Sequence, residues 1–215
     1  MQESTFRGFV ALPVPSGIKT FLQSFYVKAT KTFPDYRFVQ TGNLHITLQF
    51  LGSNVKTSLI PDIQTVIQSS VTKTLCFDVS LGKASTFPEK GLPRVLYIGI
   101  DRGKEEVEQL ARDLRAGLES LGFRENKPFR THITVARRKR QTGYRKQGNA
   151  GYNHWTKAFS DFITHYHDES ASALNLHWRA SEVLLMESNL TPTGPVYSVL
   201  SGISLPGRTK ERTYV

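Results

Sequence analysis

The sequence predicts a mixed fold of strands and helices made of two similar halves. Three observations lead there. Apolar runs rich in β-branched and aromatic residues alternate with amphipathic helical stretches. One strand-like segment, Asn43-Leu44-His45-Ile46-Thr47-Leu48-Gln49-Phe50-Leu51-Gly52, has a near copy 87 residues later, Phe129-Arg130-Thr131-His132-Ile133-Thr134-Val135-Ala136-Arg137. Each copy is preceded by a strand and a helix, as a duplicated unit would be.

In chain order, 5–12 is rich in β-formers and reads as a strand, which Pro13 and Pro15 end. Apolar residues at 18, 21, 22, 25 and 26 predict a helix over 18–31, with Ser16 as its N-cap. Pro34-Asp35 closes that helix, and 36–39 reads as a short strand leading into the first His-x-Thr segment. A second helix is expected over 58–70 with Pro61 in its first turn, then a strand over 75–81. Residues 88–93, with two prolines and a glycine, read as the seam between the halves. A strand over 94–100 and a strongly amphipathic helix over 104–121 follow, with Gly122 as the residue past its C-terminus.

Beyond the second copy the periodicity fades. Residues 138–174 are expected to form an insertion or mobile flap beside the site, with a short helix over 155–166. Strands are expected at 180–186 and 196–205, joined by a loop over 187–195, and the basic tail 206–215 is expected to be loose. The organisation expected is one domain over 1–205, with a basic insertion at about 138–175.

Composition narrows the class. The chain has 215 residues, 39% of them hydrophobic, including 13 Phe and 8 Tyr, which fits a folded globule. Its one cysteine, Cys76, cannot form an internal disulfide and reads as a small core residue. No apolar run approaches the ~18 residues of a membrane span, and the first residues lack a signal-peptide pattern, so a cytoplasmic location is expected. The net charge of +10, from 28 Lys and Arg against 18 Asp and Glu, fits a polyanionic partner. Part of the excess, Arg137-Arg138-Lys139-Arg140, directly follows the second His-x-Thr.

Alternation along a strand puts His45 and Thr47 on one face and Ile46 and Leu48 on the other, and likewise His132 and Thr134 against Ile133 and Val135. Facing each other, the two polar faces would enclose two imidazoles and two hydroxyls. Two histidines can act as general base and general acid in one turnover. Threonine hydroxyls and a nearby arginine can hold an anion between them, phosphate above all. His165-x-His167 has a metal-ligand spacing but no accompanying carboxylate or cysteine cluster, so no metal and no cofactor is expected.

The paired segments resemble the two signature motifs of the 2H phosphoesterases, and within them the RNA 2′,3′-cyclic phosphodiesterases, also called 2′-5′ RNA ligases or LigT-like proteins. The similarity extends to Phe9-Val10-Ala11-Leu12 with Pro15, to the strand Pro93-Arg94-Val95-Leu96-Tyr97-Ile98-Gly99, and to the ending from Leu184 through Gly194 and Tyr197. It implies an α+β, bilobal fold, with two pseudo-symmetric lobes of antiparallel sheet, outer helices and a central cleft. It implies metal-independent hydrolysis of a cyclic phosphate at an RNA end to a 2′-phosphate, with reversible 2′-5′ ligation in some relatives. In this chain, His45 and His132 would be the acid–base pair; the sequence leaves open which is which, and His132 as base on the water with His45 as acid is the order favoured. Thr47, Thr134 and Arg137 would grip the phosphate. Phe50 and Tyr36 are candidates for stacking on a base, and Arg130, Arg138, Lys139 and Arg140 for RNA contact. The family often has proline where this chain has Thr131. A 2′-5′ oligoadenylate, another small phosphodiester, or a non-catalytic module that binds RNA ends stay open as alternatives.

Overall fold

The computed structural model describes residues 3–125, 127–139, 150–169, 176–192 and 194–207, with side chains in the third stretch described over 153–164. Among them are nine strands and four helices in the order β1 (Thr5–Pro13), α1 (Ser16–Thr32), β2 (Tyr36–Phe38), β3 (His45–Lys56), α2 (Ile60–Val71), β4 (Phe77–Phe87), β5 (Val95–Ile100), α3 (Lys104–Glu119), β6 (His132–Arg138), α4 (Ala150–Glu169), β7 (His177–Ala180), β8 (Glu182–Thr191) and β9 (Gly194–Ser204). All the strand pairings are antiparallel, and the sheet runs β7-β4-β5-β6-β3-β1-β8-β9, with β2 added on β6.

The sheet consists of two arms that meet at its middle. The arm β7-β4-β5-β6 meets the arm β3-β1-β8-β9 through one recorded pair, Ile46 with Ile133. Both isoleucines are fully buried. The helices cross between the halves of the sequence. The α1 helix follows β1 yet packs beside β2 and α4, and its Tyr26 hydroxyl donates to the Val135 carbonyl of β6 at 3.3 Å. The α3 helix follows β5 yet packs on α2 and β3. Each half of the duplicated unit therefore lends its helix to the other arm, and one continuous core runs through both.

Most elements lie where the periodicity puts them, and the differences have local causes. Ser16 is the first residue of α1 and makes no capping bond; Pro15, extended with ψ 164°, takes the cap position. The β4 strand continues six residues past 81, through a pairing irregularity between Leu81 and Ala84, and pairs with β5 at Phe87–Val95. Residues 88–93 are thus a hairpin connection inside one arm and not a seam between halves. The strand predicted over 180–186 is broken at Ser181, which separates β7 from β8. The loop predicted over 187–195 is largely ladder, since β8 pairs with β9 from Glu182–Ser204 out to Thr191–Gly194. Gly122 does follow α3, with φ 88°. The bonds Phe123 N–H to Leu118 and Gly122 N–H to Glu119 form a Schellman motif, which needs that left-handed residue.

The largest revision concerns α4, expected as part of a mobile flap. Its Trp155 is fully buried and Phe159 and Phe162 are buried, all three packed on Phe25 of α1 at centroid distances of 5.5, 5.3 and 5.1 Å. The helix is part of the core. His165 and His167 fall within it, so their spacing is helical, and His154 and His177 are exposed. The tail is anchored at its start: the Cys76 amide donates to the Pro206 carbonyl, and Leu205 is buried. Residues 208–215 lie outside the described residues. Cys76 is buried, as its apolar setting implies.

Candidate active site

The Ile46–Ile133 pair positions the two motifs. Because β3 and β6 run antiparallel about it, His45 falls on the Thr134 side and His132 on the Thr47 side. His45, Thr47, His132, Thr134 and Arg137 together line one cavity of about 280 Å³.

Each motif contains the same irregularity. On β3, Val10 pairs with Gln49 but Ala11 with Thr47, leaving Leu48 as the extra residue of a bulge. On β6, Leu96 pairs with Ala136 but Tyr97 with Thr134, leaving Val135 as the extra residue. A bulge reverses the in–out phase of a strand. Without it, Gln49 and Ala136 would join the histidine face; with it, both are buried. The cavity instead receives Phe50 and Arg137, each five residues after its histidine. Phe50 and Arg137 therefore occupy equivalent positions in the two halves, and strict alternation would have turned Arg137 away.

The imidazoles are held alike but surrounded differently. His45 Nδ1 bonds the Asn43 carbonyl at 2.7 Å, and His132 Nδ1 bonds the Arg130 carbonyl at 2.6 Å. In both, the carbonyl two residues upstream accepts from Nδ1–H, which orients Nε2 toward the cavity. His45 Nε2 lies 3.0 Å from Thr47 Oγ1. The His45 ring packs against Phe9 at 4.7 Å and Tyr197 at 5.4 Å, and the His132 ring meets Phe87 at 5.1 Å and Tyr97 at 5.3 Å. Burial pushes the His45 pKa down to about 4, with His132, Arg137 and Lys19 adding repulsion and the Asn43 carbonyl opposing. Burial also lowers the pKa of His132, helped by Arg137. Arg7, Arg37 and Arg137 are the charged side chains of the cavity, and no carboxylate lines it among the described residues.

The remaining predicted residues divide. Phe50 lines the cavity with the Arg7 guanidinium 4.4 Å above its ring, and Arg7 Nη1 donates to Ser53 Oγ at 2.6 Å. Tyr36 does not line it; its hydroxyl donates to the Pro93 carbonyl at 2.8 Å. Arg138 pairs through its backbone with Tyr36, and Lys139 Nζ donates to the Pro34 carbonyl at 2.7 Å, so neither reaches the cavity. Arg130 is paired with Glu89 and lines an adjoining cavity. Arg140 lies outside the described residues. Sequence reasoning missed Arg7, Arg37, Asn43 and Tyr197 as cavity residues. Tyr197, within the matched ending, and Asn43, at the start of the first repeated segment, carried a signal; Arg7 and Arg37 arrive through strand pairing that local patterns do not encode. Among the described residues no group of three or more His, Cys, Asp or Glu side chains is placed to hold a metal ion, and no helix is long and apolar enough to cross a membrane.

Comparison with known proteins gives a consistent picture. A family model described as the 2′-5′ RNA ligase superfamily matches residues 15–188. The RNA 2′,3′-cyclic phosphodiesterase of Archaeoglobus fulgidus is 30% identical over 194 residues, spanning 90% of this chain and 97% of that protein. The protein of the same name from Thermus thermophilus is 30% identical over 211 residues, spanning 94% and 91%. A crystal structure of a Thermus thermophilus protein superposes with a TM-score of 0.70 at 28% identity, covering 94% of this chain and all of that one. Escherichia coli LigT complexed with 3′-AMP superposes with a TM-score of 0.69 at 22% identity, covering 94% and 99%, a likeness of fold.

Proposed function

The chain belongs to the 2′-5′ RNA ligase superfamily, and from that membership and its two-histidine cavity we propose that it hydrolyses RNA 2′,3′-cyclic phosphate ends to 2′-phosphates. The observation that carries the reading is the Ile46–Ile133 junction, which brings both His-x-Thr faces and Arg137 onto one cavity. Relatives of 30% identity over nine-tenths of the chain bear the name of this activity. Cyclic phosphodiester hydrolysis needs one group to take a proton from water and another to give one to the leaving oxygen. One neutral and one protonated imidazole supply both. The water oxygen attacks phosphorus as its proton passes to the base. The P–O3′ bond breaks, and the acid protonates O3′, leaving a 2′-phosphate and a free 3′-hydroxyl. Thr47, Thr134 and Arg137 hold the phosphoryl oxygens and offset their charge. In this reading His132 acts on the water and His45 on the leaving oxygen, and the proton balance is the same with the two roles exchanged.

Burial makes both histidines reluctant to carry a proton in the free protein. A phosphate anion seated between them favours the charged form of its neighbours, so the substrate itself helps to protonate one ring. The same steps with an RNA 5′-hydroxyl in place of water would form a 2′-5′ linkage, and their reversal, attack of the 3′-hydroxyl with loss of the 5′-oxygen, would cleave it.

The test is incubation of the purified protein, in EDTA, with a short RNA ending in 2′,3′-cyclic phosphate, resolving 2′- from 3′-phosphate products beside a 2′-5′ oligoadenylate control. Conversion to the 2′-phosphate alone is expected. An unchanged cyclic end with cleaved oligoadenylate would move the activity to another phosphodiester, and binding without turnover would leave a recognition module.

A further inference from the structure

The catalytic cavity has a larger and more open neighbour of about 730 Å³. Both are lined by Thr47, Phe50, His132 and Arg137, so the proposed phosphate position is a waist between two spaces. Beyond the waist the second cavity gains three cations, Arg115, Lys127 and Arg130, against two carboxylates, Glu89 and Glu125. Arg130 and Glu89 are paired with each other.

Arg115 is the informative one. It projects from α3, half-buried, with its guanidinium 5.0 Å above the Phe129 ring and Nη1 donating to the Lys127 carbonyl at 3.2 Å. Its Nε is buried and has no hydrogen-bond partner. Among the described residues no ion pair to it is found, and the Glu125 carboxylate of the same cavity acts on it only at longer range. A partly desolvated guanidinium stacked on an aromatic ring and lining a cavity suits a phosphodiester lying beside a base.

We propose that this second cavity binds the nucleotide next to the reacting end of the RNA, with its phosphodiester against Arg115 and Lys127. The inference rests on the cyclic phosphodiesterase reading and deepens it: the cyclic phosphate that ends the RNA sits at the waist with its nucleoside in the smaller cavity, and the chain on the 5′ side of that nucleoside turns back into the larger one. The enzyme thereby distinguishes an RNA end from a free cyclic nucleotide. A volume of about 730 Å³ lies within the roughly 300–1,000 Å³ typical of ligand sites.

The experiment compares kcat/KM for adenosine 2′,3′-cyclic phosphate with that for a dinucleotide ending in the same cyclic phosphate. It uses the wild type, Arg115→Gln and the surface variant Lys127→Glu, whose folding is not at risk. The wild type should favour the dinucleotide by about tenfold or more, the worth of one hydrogen bond between charged groups. Both variants should lose most of that preference while processing the mononucleotide as the wild type does. Equal wild-type rates on the two substrates, or variants that slow both equally, would overturn the subsite and leave the proposed activity standing. Turnover of neither substrate would overturn the proposed activity and the subsite with it.

Discussion

At the scale of single residues, the depressed histidine pKa values decide the pH behaviour. The profile of kcat/KM reports the free enzyme, where one imidazole must be charged and the other neutral. Both values lie below the ordinary 6.5, and that of His45 is about 4. The bell should therefore peak on the acidic side of neutrality, with its lower limb near pH 4; a maximum above pH 7.5 would contradict the burial argument. The same shift bears on stability. The unfolded chain takes up its imidazole proton near pH 6.5 and the folded one resists it, so stability present above 6.5 is lost as pH falls toward 4. Thermal midpoints measured from pH 7 to 4.5 should fall less steeply for His45→Gln than for the wild type. Replacing His45 or His132 by Ala should slow turnover roughly 10²–10⁴-fold, the usual worth of general acid–base catalysis. Thr47→Ala or Thr134→Ala should cost about 1.5–3 kcal/mol of transition-state binding, read from kcat/KM.

At the scale of elements, α4 separates packing from activity. Trp155→Ala removes a fully buried indole and should cost about 3–5 kcal/mol in urea unfolding. Turnover below the transition should survive, because Trp155 does not line the catalytic cavity. A flap over the site would give the opposite result, lost turnover with unchanged stability. The elements also mark how far the sequence could be read. Helices α1, α2 and α3 were legible because their apolar residues recur at helical spacing, and the two His-x-Thr strands because each polar pair faces an apolar one. The core role of α4 was hidden in a basic, Gly-rich setting. The length of β4 was hidden too, since residues 82–86 hold no large apolar side chain to mark a strand. Arg137 was placed in the site by resemblance, and the bulge at Val135 that brings it there comes from pairing with β5, a partner distant in sequence.

At the scale of the whole molecule, the charge of +10 acts through position. Arg7, Arg37 and Arg137 face the catalytic cavity with no acid among its described lining, whereas Arg138 does not line it and Lys139 donates to the Pro34 carbonyl. Arg37→Ala should weaken RNA association and flatten its salt dependence, while Lys139→Ala should leave both unchanged. Stopped-flow association rates at two salt concentrations would read the difference. The exchange of helices between arms reaches further. With α2 from the first half packed on β8 and β9, and α3 and α4 from the second half on β3 and β4, each half of the chain supplies cover for strands of the other. A polypeptide cut within the β4–β5 hairpin should yield two fragments that are each unstructured alone, yet regain the native assembly and its turnover when mixed. Each fragment would serve as the folding template of the other.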